Sequence, residues 1–223
     1  PDDASSVSDG STPGLPDEDR PLIPASKVDL LLVVDNSSSM SDKAKNLAAS
    51  IGVLLRAVAK VGDVHVGVIS TSLGTFGGDV CPNEGEFNGL SHLRTTGPGG
   101  SVVAGAESGV LTLSPNGDVD AFVAAASSLV SGVGETGCGL EAQLEATYRF
   151  LSQPDPWQTI SLDGFNQARM DGIDDQLLAQ RKAFLRPDSA LVVVMLTDED
   201  DSGTDPLSVG GQGWAFSAKN FPG

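Results

Sequence analysis

Residues 27–35 read KVDLLLVVD, and this almost continuous apolar run decides the fold. Such a run is typical of a strand that is buried on both faces of a parallel sheet. A polar turn at 36–41 follows, and apolar residues then recur at helical spacing from 44 to 58. The β-branched segment 63–71, DVHVGVIST, indicates a second strand. The opening therefore predicts a β-α-β unit with parallel strands and a right-handed crossover.

The rest of the chain fits the same α/β class. Apolar periodicity predicts three further helices, at 119–130, 140–151 and 173–185. Residues 190–197, ALVVVMLT, predict another buried strand, which runs directly into four acidic residues at 198–201. Strands that alternate with helices in this way predict one α/β domain over residues 27–223.

Two stretches fall outside this pattern. Residues 1–26 are mostly Asp, Glu, Ser, Pro and Gly and predict a flexible acidic tether. This tether either follows a removed signal or lipid-attachment site or links two domains. Residues 72–118 are long, polar and Gly-rich, and predict at most a short strand or hairpin at 90–94 and 101–103. We interpret this insertion as a rim of a binding face, because it leaves the second strand at the carboxyl end, where open parallel sheets bind their ligands.

The composition disfavours several classes of protein. There are 13 basic against 30 acidic residues, a formal charge of −17 that opposes binding to nucleic acids and anionic lipids. The longest apolar runs are far shorter than the roughly 18 residues of a membrane-spanning helix, so no transmembrane segment is expected. The two cysteines, Cys81 and Cys138, either form a disulfide or stay as buried thiols. Their even number, in a chain that we expect to be exported, favours the disulfide.

Asp35, Ser37 and Ser39 form a D-x-S-x-S pattern where the first strand ends. Ligands of open parallel sheets bind beyond the carboxyl ends of the strands, and one carboxylate with two hydroxyls offers hard oxygens to a cation. The alternative is that one of these residues caps the following helix. Thr136 lies in a Gly-rich loop before a helix and Asp198 ends the last strand, so both are expected at the same edge. Together these positions favour a metal site.

Three stretches resemble the von Willebrand factor A domain family, in particular its secreted or surface-anchored bacterial members: VDLLLVVDNSSSM (28–40), GETGCGLEAQLEA (134–146) and ALVVVMLTDEDD (190–201). The resemblance implies a doubly wound, mainly parallel sheet with helices on both faces and a metal-ion-dependent adhesion site. It further implies one divalent cation, most often Mg²⁺, with Mn²⁺ or Ca²⁺ as alternatives. The implied ligands are Ser37 and Ser39 directly, and Asp35, Thr136 and Asp198 directly or through water.

The function that the resemblance implies is binding rather than catalysis. An Asp or Glu of a protein partner would complete the coordination of the metal ion, outside the cell or at a bacterial surface. One alternative is a structural surface domain that the metal only stabilises. A metal-dependent hydrolase is disfavoured, because the sequence has no G-x-S-x-G or phosphate-binding glycine motif and no second Asp two residues after Asp35.

Two features depart from the family pattern. Few residues follow Asp198, where the family adds further strand-helix units. Either the chain is a fragment, or the last strand is an edge that another segment covers. The extra acids Glu199, Asp200 and Asp201 either bind a second ion such as Ca²⁺ or form a solvated acidic loop.

Overall fold

The computed structural model describes residues 25–74, 81, 85, 88–165, 167–201 and 207. The strands are β1 (Val28–Val34), β2 (Val64–Ser70), β3 (Leu111–Leu113), β4 (Thr159–Leu162), β5 (Ala168–Asp171) and β6 (Ala190–Leu196). The helices are α1 (Ser41–Val58), α2 (Val119–Ser131), α3 (Gln143–Leu151) and α4 (Asp175–Phe184). Almost all of the predicted tether, part of the insertion and nearly all of the chain after Asp201 lie outside the described residues.

The main sheet has four strands in the order β3-β2-β1-β6. β1 pairs in parallel with β2, from Val28 opposite Val64 onward, and in parallel with β6, from Val28 opposite Ala190. The short β3 runs antiparallel to β2. The protein is therefore an α/β protein with a mixed but mostly parallel sheet, and the predicted β-α-β opening and last strand are confirmed.

Helices cover both faces of this sheet because the side chains of β1 alternate between two apolar clusters. Leu30 and Leu32 belong to a cluster completed from the α1 and α2 side by Ile51, Leu55, Phe122 and Ala126. Leu31 and Val33 belong to a second cluster, completed from the α3 and α4 side by Ala146, Phe150, Leu177 and Phe184. This two-sided burial explains why the β1 sequence reads as one apolar run rather than an alternating pattern.

β6 borders the sheet within the described part of the chain, since only β1 pairs with it there. Leu191, Val192 and Met195 are exposed on this strand. They lie on both faces, because Leu191 and Met195 alternate with Val192 along the strand.

Two sequence predictions differ from the structure in the regions between the main elements. The short strand of the insertion lies at Leu111–Leu113. The predicted 90–94 segment forms no strand, and in the predicted 101–103 segment Val102 makes an isolated bridge with Thr96. A separate antiparallel hairpin, β4 with β5, was not predicted at all. Its strands have four residues each, too few for periodicity to distinguish them from loops.

The start of α3 also differs from the predicted helix at 140–151. The helix begins at Gln143. Leu140 instead packs in a small buried cluster with Cys81 and Cys138. These cysteines form a disulfide, with Cα atoms 5.6 Å apart, which confirms the favoured pairing. The bond holds the insertion against the loop before α3.

Candidate metal-binding site

Three loops leave the sheet side by side at its carboxyl edge. Val34, the last residue of β1, pairs with Ser70 of β2 and with Leu196 of β6. Asp35, Thr71 and Thr197 are therefore the next residues of three adjacent strands. The Asp35 amide donates to Leu196 O at 2.9 Å, and the Thr71 amide donates to Val34 O at 3.3 Å. The sheet thus brings the predicted loops of Asp35 and Asp198 together.

Asp35 is completely buried, and its carboxylate is held by neutral donors. Its Oδ1 accepts the Ser37 amide at 2.8 Å, and its Oδ2 accepts the Thr197 hydroxyl at 2.8 Å. α1 begins after Met40 without any side-chain cap. The alternative in which Asp35, Ser37 or Ser39 caps this helix is therefore wrong. Asp35 instead closes the turn that presents the two serine hydroxyls.

The serine hydroxyls and Asp198 form one continuous line of oxygens. The Oγ atoms of Ser37 and Ser39 are 3.0 Å apart, and the Ser39 hydroxyl donates to Asp198 Oδ1 at 3.1 Å. Four of the five predicted ligand residues are thus linked in space, since Asp35 bonds the Ser37 amide. Carboxylate and hydroxyl oxygens are the donors that Mg²⁺, Mn²⁺ and Ca²⁺ prefer, so the donor set fits a hard divalent cation.

Thr136, the fifth predicted ligand, lies in a loop that docks beside the site. The Gly137 amide donates to Asn36 O at 2.7 Å. A Cβ atom on Gly137 would come within 2.2 Å of the Asn36 side chain, so only glycine allows this close approach. Thr136 itself is exposed and makes no hydrogen bond with any described residue. The structure therefore brings its loop to the site without a contact from its hydroxyl to the other predicted ligands.

The Ser72 side chain joins the loop that carries Thr136 to the turn after β1. Its hydroxyl donates to Asn36 Oδ1 at 2.7 Å and accepts the Cys138 amide at 2.9 Å. Cys138 is also tied by its disulfide to Cys81. The turn after β1, the loop after β2 and the loop before α3 are thus joined by buried hydrogen bonds and one covalent bond.

Lys43 is a site residue that the sequence analysis missed. From the first turn of α1 its ammonium donates to Asp198 Oδ2 at 2.7 Å and to Ser39 O at 3.2 Å. This contact holds the pKa of the Asp198 carboxyl below its ordinary value and raises the pKa of Lys43. The ammonium group of Lys43 therefore contacts Asp198, one of the carboxylates that a divalent cation would use. The sequence signal that indicates this contact is the position of Lys43, four residues after Ser39 and in the first turn of the predicted helix.

Glu141 was also missed, although it lies within one of the quoted stretches. Its side chain is buried, and Oε2 accepts the hydroxyl of Thr71. Burial, together with the nearby charges of Asp35 and Glu199, raises the pKa of Glu141 to about 8. The pKa of Glu199 is also raised, by burial and by Asp35 and Asp198. These carboxyl groups repel one another when they are ionised, so a bound cation would favour their ionised forms.

The acidic segment after β6 contacts α3. The Asp201 carboxylate accepts the Leu144 amide at 2.6 Å, and Gln143 Nε2 donates to Glu199 O at 3.3 Å. Among the described residues, no three carboxylate, histidine or cysteine side chains come close enough to form a metal site by themselves. A second ion at Glu199, Asp200 and Asp201 therefore stays a prediction.

Comparisons with known proteins find no relative of this chain. No family model, curated protein or solved structure matches the chain. Within the part of the chain that the structure describes, no helix is long and apolar enough to cross a membrane. The geometry and charge of the carboxyl edge, together with the resemblance of its motifs, are therefore the indications of function.

Proposed function

We propose that the carboxyl edge of the sheet binds one divalent cation, most favourably Mg²⁺, and that the protein is a metal-dependent adhesion module of the von Willebrand factor A type. Ser37 and Ser39 would hold the ion directly, and Asp35, Thr136 and Asp198 would bind it directly or through water. The observation that carries this proposal is the line of oxygens from Ser37 through Ser39 to Asp198, next to the buried Asp35 carboxylate.

Charge supports an acidic partner group as the missing ligand. Asp35 and Asp198 formally neutralise one dication, so an incoming carboxylate can complete the coordination at modest electrostatic cost. Without the ion, a chain of charge −17 repels an acidic partner. The ion would compete with the Lys43 ammonium, because both would contact the Asp198 carboxylate.

An extracellular or cell-surface location is part of the same proposal. A disulfide such as Cys81–Cys138 persists mainly in oxidising compartments. The resemblance to surface-anchored bacterial proteins points in the same direction.

The proposal can be tested by NMR on the ¹⁵N-labelled full chain. Mg²⁺ should shift the amide signals of Ser39 and Glu199 saturably in the wild type and in Ser38→Ala, but not in Ser39→Ala. Ser38 is the matched control because it is exposed and adjacent in the same turn. Acetate, a minimal partner carboxylate, should shift these signals further only when Mg²⁺ is present, whereas acetamide should not.

Each other outcome contradicts a stated part of the proposal. Mg²⁺ shifts that acetate does not extend would leave a structural metal and overturn the adhesion role. No saturable shift with Mg²⁺, Mn²⁺ or Ca²⁺ would overturn the metal site itself. Equal acetate shifts at Ser39 in EDTA would show that carboxylates bind there without the ion.

A further inference from the structure

The Cys81–Cys138 disulfide lies outside the main core of the protein. Leu140 packs with the two cysteines in a small buried cluster of their own. The two large apolar clusters, which hold the helices against the sheet, contain neither cysteine. Opening the disulfide therefore loosens the loop before α3 without removing a side chain from either large cluster.

Hydrogen bonds connect the disulfide with the turn that carries the proposed metal ligands. The Cys138 amide donates to the Ser72 hydroxyl at 2.9 Å, and that hydroxyl donates to Asn36 Oδ1 at 2.7 Å. The neighbouring Gly137 amide donates to Asn36 O at 2.7 Å. Asn36 lies between two of the proposed ligands, and Gly137 directly follows a third. The position of Cys138 therefore affects how the loop before α3 meets the turn after β1.

The same loop makes few other apolar contacts. In the described stretch between Val133 and Ala142, Cys138 and Leu140 are the only buried apolar side chains, and both belong to the disulfide cluster. The Leu140 amide also donates to the Cys138 sulfur at 3.3 Å. Segments with few buried apolar contacts open locally at low free energy, so the disulfide is an important restraint on this loop.

We propose that the Cys81–Cys138 bond is a redox switch for the metal site, and this proposal rests on the proposed function. With the bond formed, the loop before α3 is held against Asn36, and the carboxyl edge binds the divalent cation tightly. With both cysteines reduced, the sheet stays folded, the loop loosens and the affinity for the ion falls. Oxidation therefore completes the site, in agreement with a location in an oxidising compartment.

The oxidation needs a co-reactant that accepts two electrons, and an external disulfide compound supplies this chemistry. The thiolate of one cysteine attacks the external disulfide, forms a mixed disulfide and releases one external thiol. The thiolate of the other cysteine then attacks the sulfur of the first, which forms the Cys81–Cys138 bond and releases the second external thiol. The two cysteines lose two electrons and two protons, and the external disulfide gains them.

A switch of this kind acts in both directions. If the disulfide raises the affinity for the ion by some factor, the ion favours the disulfide over the two thiols by the same factor. Couplings between two sites are commonly about 5- to 150-fold. Saturating Mg²⁺ should therefore shift the equilibrium of Cys81 and Cys138 with glutathione toward the disulfide at least about fivefold. Sodium chloride at equal ionic strength should not shift it, and neither should Mg²⁺ in Asp35→Asn.

The test compares the oxidised and the reduced full chain. In isothermal titration calorimetry, reduction should weaken Mn²⁺ binding at least about fivefold, and reoxidation with oxidised glutathione should restore it. Hydrogen exchange of the Gly137 and Cys138 amides should become faster on reduction, whereas that of Leu31 and Leu32 in β1 should not change. Ile51→Val is the control for a general loss of stability, because Ile51 packs in a large cluster without the cysteines, and it should keep the Mn²⁺ affinity.

Three results would overturn the switch. Equal Mn²⁺ affinity in the two redox states would show that the bond does not act on the site. Faster exchange throughout β1 on reduction would show that the bond supports the whole fold. A glutathione equilibrium that Mg²⁺ does not shift would contradict the coupling. An oxidised chain that binds no divalent cation would instead overturn the proposed metal site, and the switch with it.

Discussion

Asp29 and Asp35 lie near opposite ends of β1, and both side chains are completely buried. At the amino end, Asp29 is paired with a cation from the chain itself. Arg186 Nε donates to Asp29 Oδ1 at 2.7 Å, and the Arg186 amide donates to Oδ2 at 2.8 Å. The Ser189 hydroxyl donates to the same carboxylate, and Arg186 Nη1 also bonds Asp63. A buried carboxylate with these partners stabilises the fold.

The carboxyl end has the opposite balance of charge. Asp35 accepts the Ser37 amide and the Thr197 hydroxyl, which are both neutral, and the Glu141 carboxyl also interacts with it. Glu141, Asp198 and Glu199 add carboxyl groups, whereas the ammonium group of Lys43 bonds Asp198. A buried charge that has no internal counter-ion is costly. The comparison separates a structural aspartate from one that is suited to an external cation.

The largest effect on the free energy of unfolding should come from Arg186, at the amino end of β1. Arg186→Ala leaves the Asp29 charge buried and unpaired, so the free energy of unfolding should fall by about 3–5 kcal/mol. The loss should be the same in EDTA and in Mg²⁺, because this end does not bind the ion. Urea denaturation measures it. Arg169→Ala, which removes an exposed ion pair with Asp163, is the control and should have a much smaller effect. Similar losses in both variants would contradict a structural role for the Asp29 pair.

The next largest effect on the free energy of unfolding should come from Glu141. Its folded-state pKa of about 8 lies above the ordinary value of 4.5, so the unfolded chain releases this proton first as the pH rises. Glu141 therefore costs no stability below pH 4.5, and its cost increases up to about pH 8. In EDTA, Glu141→Gln should be more stable than the wild type by about 2–4 kcal/mol at pH 8 and by almost nothing near pH 4.

Glu107→Gln is a control of opposite sign for that experiment. Backbone hydrogen bonds from its own turn lower the pKa of Glu107, so its charge adds stability above the ordinary pKa. The Gln variant should therefore be slightly less stable than the wild type at neutral pH, and the difference should disappear in acid. Urea denaturation across the pH range measures both variants. A difference for Glu141→Gln that does not change with pH would contradict the buried neutral carboxyl.

The smallest effect should come from Lys43, and it concerns the affinity for the metal ion. Because its ammonium contacts Asp198, Lys43→Gln should increase the affinity for Mn²⁺ about threefold to tenfold. Isothermal titration calorimetry measures this affinity. Lys60→Gln, an equal charge change beyond the last turn of α1, is the matched control. Equal gains in the two variants would show that Lys43 acts only through net charge and does not compete for the site.

The parts of the fold that sequence predicts well are those that long, regular patterns encode. β1, α1, β2 and β6 each have at least seven residues and a continuous apolar run or a helical repeat. β3, β4 and β5 have three or four residues each, and their positions depend on pairing partners rather than on local pattern. The β4–β5 turn depends on Asp163, whose carboxylate accepts the Phe165 and Gln167 amides.

The same distinction applies to the site. Asp35, Ser37, Ser39 and Asp198 directly follow recognisable strands, so their common edge follows from the parallel sheet. The contacts of Glu141 and Thr197 depend on how the loop before α3 docks and on how the turn after β6 closes. This docking requires the close packing of Gly137 against Asn36 and the Cys81–Cys138 bond. Such tertiary contacts leave no periodic signal in the sequence.

The most direct test of the central claim is thermal unfolding of the wild type, Asp35→Asn and Asp29→Asn, each in EDTA and in excess Mg²⁺. A metal ion at about one hundred times its Kd should raise the wild-type Tm by roughly 5–10 °C. Asp29→Asn should unfold at a lower temperature in both buffers but keep this shift, whereas Asp35→Asn should lose it. A wild type that Mg²⁺, Mn²⁺ and Ca²⁺ all fail to stabilise, or an undiminished shift in Asp35→Asn, would contradict the assignment of the carboxyl edge as a cation site.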